Sequence, residues 1–182
     1  LAEGRRGAGQ HQHVGELPVS RQFGRHFGVG ATGDGGLESN AAVQFLDSGW
    51  NDDKPFGPKW GTDYWRKWAV IVRALSASGV GAGADVLDMG CGPGWTTVFL
   101  AQSGYRPVGL DVAPASLEVG RRRARQWGVE AQFVTADMES FELGRQFDAI
   151  LVFDALHHTD HRLEVLTHLS RHLKPGGVAI YG

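Results

Sequence analysis

The stretch Asp85-Val86-Leu87-Asp88-Met89-Gly90-Cys91-Gly92-Pro93-Gly94-Trp95 decides how the rest of the chain is read. A short β-rich run meets an acid, and three glycines then follow at alternate positions. Without β-carbons at Gly90, Gly92 and Gly94, the backbone can come very close to a ligand. A helix starting just beyond the turn presents unpaired N–H groups, which suit a carboxylate or a phosphate. By itself the turn also fits a structural role in tight packing. Downstream, β-rich runs at 107–111, 131–135, 147–153 and 177–181 alternate with helical stretches at 96–103, 114–127 and 162–173. That alternation predicts an α/β fold with a parallel sheet covered by helices on both faces. Lys174-Pro175-Gly176-Gly177 is expected to end the last helix, by proline and glycine.

The acids around the loop narrow the chemistry. Asp111 ends the second predicted strand, 17 residues beyond Gly94 (111 − 94), and both strand ends open on one crevice. A carboxylate there can accept hydrogen bonds from the two vicinal hydroxyls of a ribose, in a dinucleotide or in another nucleoside cofactor. A GxGxxG dinucleotide fingerprint would place its third glycine at position 95, where this chain has Trp95. Asp88 is an acid in an otherwise apolar strand. Burying its charge is costly unless an ammonium, an ordered water or the backbone pairs with it.

Ahead of the loop the composition changes. Residues 1–53 are crowded with Gly, Arg, Gln and His, lack a sustained apolar period, and read as a low-complexity tail without a fold of its own. The chain begins with Leu1, and an excerpted start is expected. From Lys54 the sequence is aromatic and proline-stiffened. A helix is predicted with Thr62 as N-cap, Trp65, Trp68, Val72 and Leu75 on one face, and Gly79 at its end. Phe56, Trp60, Tyr64 and Trp65 are candidates for a lid over the crevice.

Composition limits the partners. The 182 residues, 42% of them hydrophobic, suffice for one globular domain, and a net charge of −2 gives no electrostatic reason to expect nucleic acid or an anionic membrane. No apolar run approaches the roughly 20 residues of a membrane span, and no apolar signal core opens the chain, so a cytoplasmic address is expected. The single cysteine, Cys91, rules out an internal disulfide, and no Cys/His cluster with zinc-ligand spacing stands out, so no metal is expected. The run Arg121, Arg122, Arg123, Arg125 is read as a solvated helix face.

From Trp60 to the chain end, the sequence resembles the class I S-adenosylmethionine (SAM)-dependent methyltransferases. Residues 86–94 are similar to the family's first motif, 109–113 to its second, 135–138 to its third, 147–158 to its fourth, and 173–177 to the turn that follows. The resemblance implies a three-layer, Rossmann-like domain over 54–182, with SAM as cofactor and a small-molecule methyl acceptor as partner. It implies that Asp88, Gly90, Cys91, Gly92, Gly94 and Trp95 surround the methionine part of SAM, and that Asp111 and Val112 lie at the ribose. Asp137 and Met138 would meet the adenine, and Phe153 and Asp154 would pass beside the methyl donor. His157 and His158 are candidate catalytic bases toward an oxygen or nitrogen acceptor. The family sheet has seven strands, whereas five are read here. The chain is therefore expected to be a fragment truncated after the fifth strand, and an inactive SAM-fold module and a nicotinamide-dependent oxidoreductase are the competing readings.

Overall fold

A computed structural model describes residues 61–182. The expected tail at 1–53 lies outside the described residues, as do Phe56, Trp60 and the side chain of the proposed cap Thr62. Five strands, β1 (Asp85–Met89), β2 (Arg106–Asp111), β3 (Gln132–Thr135), β4 (Phe147–Val152) and β5 (Leu173–Tyr181), form one sheet in the order β3-β2-β1-β4-β5. Every neighbouring pair is parallel. From β1 the chain steps outward to β2 and β3, then crosses back to build β4 and β5 on the other side. The crevice therefore opens at the carboxyl ends of β1 and β4, where the winding reverses.

The helices are α1 (Gly61–Ala77), α2 (Trp95–Gln102), α3 (Pro114–Trp127) and α4 (Arg162–Ser170), with a 3-10 turn at Leu156–His158. Alternate strand residues go to opposite faces. Val86, Ala149 and Leu151 pack with Tyr64, Ile71 and Leu75 of α1 and with Trp95, Phe99 and Leu100 of α2. Leu87, Met89, Ile150 and Val152 pack with Val165 and Leu169 of α4 and with Phe141. Both faces of the central strands are thus buried, as a parallel sheet requires. The α/β layering expected from the sequence is present. No described helix is long and apolar enough to cross a membrane.

Three local expectations are corrected. The stripe of α1 that faces the core is Tyr64, Trp68, Ile71 and Leu75, whereas Trp65 and Val72 are exposed; each of these two lies one residue past a core position, about 100° around the helix. Trp65 still stacks on Phe99, with ring centroids 5.2 Å apart. Lys174-Pro175-Gly176-Gly177 does not end α4, which stops at Ser170, but lies within β5 as a bulge. The step from Phe147 to Ala149 on β4 is matched by the longer step from Leu173 to Val178 on β5. A β-carbon at Gly177 would lie 2.9 Å from the Lys174 carbonyl oxygen and 3.0 Å from that of Phe147, so only glycine fits there. Finally, Arg123 is not solvated. It is buried, and its guanidinium donates to the Pro93 carbonyl oxygen at 2.5 Å, tying α3 to the glycine loop. Arg121 is half-buried and donates to the Phe133 carbonyl oxygen at 2.9 Å.

Candidate functional site

The glycine loop joins β1 to α2 at the crevice. Gly92 and Gly94 have left-handed backbones, with φ of 52° and 70°. Gly94 is pressed between elements: a β-carbon there would lie 2.6 Å from the Phe133 ring and 3.1 Å from Gly120 of α3. Gly90 is equally close to Ala155 and 3.4 Å, by the same measure, from the Met138 side chain, so the first, third and fourth motifs meet at this point. Gly92 differs. A β-carbon there would meet no atom within 4 Å, leaving clearance directly above its backbone.

Asp111 and Asp88 hold the loop from two sides. Asp111 is buried, and its carboxylate accepts the Gly92 N–H at 2.7 Å and the Ala113 N–H at 3.0 Å. The Val112 N–H also bears on it, so only part of its acceptor capacity remains for a ligand. Burial raises its pKa above the usual carboxylate range, against the opposing pull of those backbone donors. Asp88 is almost fully buried and accepts the hydroxyls of Thr96 and Thr97, at 2.5 and 2.6 Å, across the start of α2. Desolvation pushes its pKa up to about 6 despite these bonds. The two threonines supply what the strand's sequence leaves open, a partner for the buried acid within the chain. Their signal is legible as hydroxyls in the first turn of the helix.

Cys91 is buried, and desolvation followed by the nearby Asp88 and Asp111 carboxyls moves its thiol well up, which suits packing and not nucleophilic attack. Val112 follows Asp111 and is half-buried. Asp137 is exposed, accepts the Glu139 N–H at 2.9 Å and so shapes the turn after β3 beside Met138.

At the end of β4 an aromatic group gathers. Trp95 is buried, with its ring edge-on to Tyr64 (centroids 4.9 Å), Phe99 (5.8 Å) and Phe153 (6.3 Å). The Lys67 ammonium lies over the rings of Tyr64, at 5.1 Å, and Phe153, at 5.5 Å, and pairs with Asp154 at 3.0 Å. Asp154 has φ of 55°, a left-handed backbone that is uncommon outside glycine and that asparagine and aspartate adopt more readily than other side chains. Burial, and then the Asp154 charge, push the Tyr64 hydroxyl up to about 12. Sequence reasoning missed Lys67, because nothing in the spacing of α1 ties it to β4. His157 and His158 follow on the 3-10 turn with ring centroids 4.0 Å apart. Burial first, and the neighbouring His157 second, lower the pKa of His158.

The methyltransferase domain family matches residues 86–177, from the first predicted motif to the β5 bulge. The ubiquinone biosynthesis O-methyltransferase of Ruegeria sp. (strain TM1040) is 36% identical over 109 residues, which are 59% of this chain and 44% of that protein. The enzyme of the same name from Rickettsia canadensis (strain McKiel) is 24% identical over 131 residues, 72% of this chain and 56% of that one. This chain thus spans about half the length of these relatives. Magnesium protoporphyrin IX methyltransferase from Synechocystis PCC 6803, solved with bound SAM, superposes with a TM-score of 0.66 over 80% of this chain and 75% of that one. At 22% identity that likeness bears on the fold alone. A doubly wound parallel sheet with a glycine loop and a strand-end acid at its crevice defines the class, a Rossmann-like α/β domain. Within that class the chain belongs to the methyltransferase domain family, as its motifs led one to expect.

Proposed function

We propose that this chain binds SAM at the β1–β4 crevice and transfers its methyl group to a small-molecule acceptor. The observation that carries the reading is the clearance above Gly92 beside the Asp111 carboxylate, which the loop's own N–H holds in place. A ribose accepted by Asp111 puts the rest of a nucleoside toward Asp137 and Met138 and its tail over Gly90, Gly92 and the first turn of α2. Cys91 and Val112 line that path, and Asp88 holds the loop to α2 through Thr96 and Thr97. When bound, SAM supplies an electrophilic methyl group on a sulfonium. The chain's share of the work is orientation and exclusion of water, with Trp95 and Phe153 presenting aromatic surface to a cation. Asp154, His157 and His158 stand at the acceptor end. The lowered pKa of His158 leaves a neutral imidazole able to take a proton from a hydroxyl acceptor.

The named O-methyltransferase relatives support a small hydroxylated acceptor in a cytoplasmic setting, and the near-neutral charge supports a partner other than nucleic acid or an anionic membrane. Calorimetric titration with SAM, its demethylated product and NAD tests the donor. Saturable binding of the first two, weakened in Asp111→Ala, is expected; tighter retention of NAD would overturn the proposal in favour of a dehydrogenase.

A further inference from the structure

A second cluster of ligating groups lies away from the crevice, at the opposite end of the sheet. His168 sits in the last turn of α4, and His172 follows one turn later, just before β5. Its carbonyl oxygen accepts the N–H of Phe147, the first residue of β4. Glu142 lies in the connection between β3 and β4. One ring nitrogen of each histidine and a carboxylate oxygen of Glu142 lie within 4.8 Å of one another. The His-x-x-x-His spacing places both imidazoles on one side of the helix end, a pattern that does not stand out in the sequence without its third member.

The hydrogen bonds set the state of each ring. The Nδ1 of His172 faces the His168 carbonyl oxygen at 3.2 Å, and the Nε2 of His168 faces the Phe141 carbonyl oxygen at 2.7 Å. A carbonyl only accepts, so those two nitrogens carry the protons, and the neutral rings keep lone pairs on His172 Nε2 and His168 Nδ1. Such backbone anchoring of the far nitrogen is how metal-binding histidines are oriented. The Phe141 ring packs on both imidazoles, at 4.8 Å from His168 and 4.4 Å from His172, which fixes their planes.

The lone pair of His172 then points at a second acceptor. Its Nε2 is 3.4 Å from Glu142 Oε2, and in the neutral ring no proton lies between them. A proton on Nε2 would pair them as imidazolium and carboxylate, and in the neutral ring a shared cation satisfies both atoms. The separation matches the edge of a tetrahedron with ligand bonds of about 2.0–2.1 Å, which is about 3.3 Å. His172 is buried while Glu142 is exposed, so the position is rigid on one side and open to solvent on the other.

We infer that Glu142, His168 and His172 form a site for a zinc-class divalent transition-metal ion, with water completing a four-coordinate shell. Nitrogen and carboxylate ligands in this number suit Zn²⁺ and the later first-row metals, and not Mg²⁺ or Ca²⁺. The ion would staple the β3–β4 connection to the end of α4. The site shares no residue with the crevice, so it stands or falls independently of the methyl donor.

The test is a titration of the 182-residue chain with Zn²⁺ against a chromophoric chelator, with Co²⁺ as a spectroscopic probe. Glu142→Gln and His168→Ala are run in parallel, and melting is followed with and without metal. One equivalent of Zn²⁺ should bind, Co²⁺ should give tetrahedral d–d absorption, and the metal should raise the melting midpoint. Either variant should bind at least about tenfold more weakly and lose that rise. Glu142→Gln changes an exposed side chain, so its metal-free midpoint should match wild type and show that the fold is intact. Absence of a saturable equivalent, or wild-type affinity in either variant, would overturn the inference.

Discussion

The Lys67 ammonium and the Asp154 carboxylate meet at 3.0 Å, and this pair joins α1 to the one described non-glycine residue with a left-handed backbone. Both side chains are partly exposed, so the ion pair itself contributes little stability. The left-handed backbone at this position is what a substitution there must meet. Asp154→Gly and Asp154→Ala both delete the carboxylate, but only alanine keeps the left-handed strain. Urea denaturation should show Asp154→Gly more stable than Asp154→Ala by about 1 kcal/mol.

Asp88 gives the fold a pH dependence of definite sign. Its folded pKa of about 6 lies above the ordinary value of 3.8, so between these values the folded state holds a proton that the unfolded state has released. Stability is then greatest near pH 4 and declines as pH rises toward 6, by on the order of 3 kcal/mol from this group. Asp88→Asn, which cannot ionise, should flatten that part of the stability profile. An unaltered slope in denaturant melts between pH 4 and 6 would show that the charge of Asp88 is not its source.

Gly92 and Gly94 should respond differently to the same substitution. Gly94→Ala forces a β-carbon against Phe133 and should cost about 2–4 kcal/mol of stability. Gly92→Ala meets open space and should cost only about 1–2 kcal/mol, through its left-handed backbone. Its effect belongs in binding. Calorimetry should show SAM affinity lowered at least about tenfold, a loss of about 1.4 kcal/mol, while the protein remains folded.

Removing Asp111 should affect donor and loop together. Asp111→Ala deletes the ribose acceptor and also releases the Gly92 and Ala113 N–H groups. SAM affinity is expected to fall by about 2 kcal/mol or more, whereas Asp111→Asn, which keeps one acceptor oxygen, should fall less. Equal losses in the two variants would assign the effect to charge alone.

The pH profile of turnover tests the histidines. Because burial and His157 lower the pKa of His158, its imidazole stays neutral at pH 7, and the rate should fall only below about pH 6.5, the ordinary histidine value. His158→Ala should cut kcat by about a hundredfold and abolish that acid limb. Loss of the limb in His157→Ala alone would move the base to the other ring.

The fold was legible because the alternation of β-rich and helical runs survives burial on both faces, and the shape of the loop was legible where backbone geometry demands glycine, at Gly90, Gly92 and Gly94. What escaped was set by tertiary contact. Arg123 looked solvated because its neighbours Arg121, Arg122 and Arg125 share its charge, while its actual partner, the Pro93 carbonyl, is distant in sequence. Lys67 and Asp154 are 87 residues apart, and no local period links them. The glycine pair before Val178 carried a helix-stop signal that the sheet used for a bulge, since Phe147 and Asp148 crowd Gly177 from the neighbouring strand. The histidines at the end of α4 were not legible as ligands because their third partner, Glu142, belongs to another segment.

The order β3-β2-β1-β4-β5 means that the crevice exists before any side chain is chosen. Two connections leaving the central strands in opposite directions cannot cover the same edge, so a gap must remain between them. What surrounds the gap, in α1 and beyond β4, can therefore change without moving the gap itself. The same arrangement puts the proposed donor pocket at the middle of the sheet, between strands whose partners lie on opposite sides.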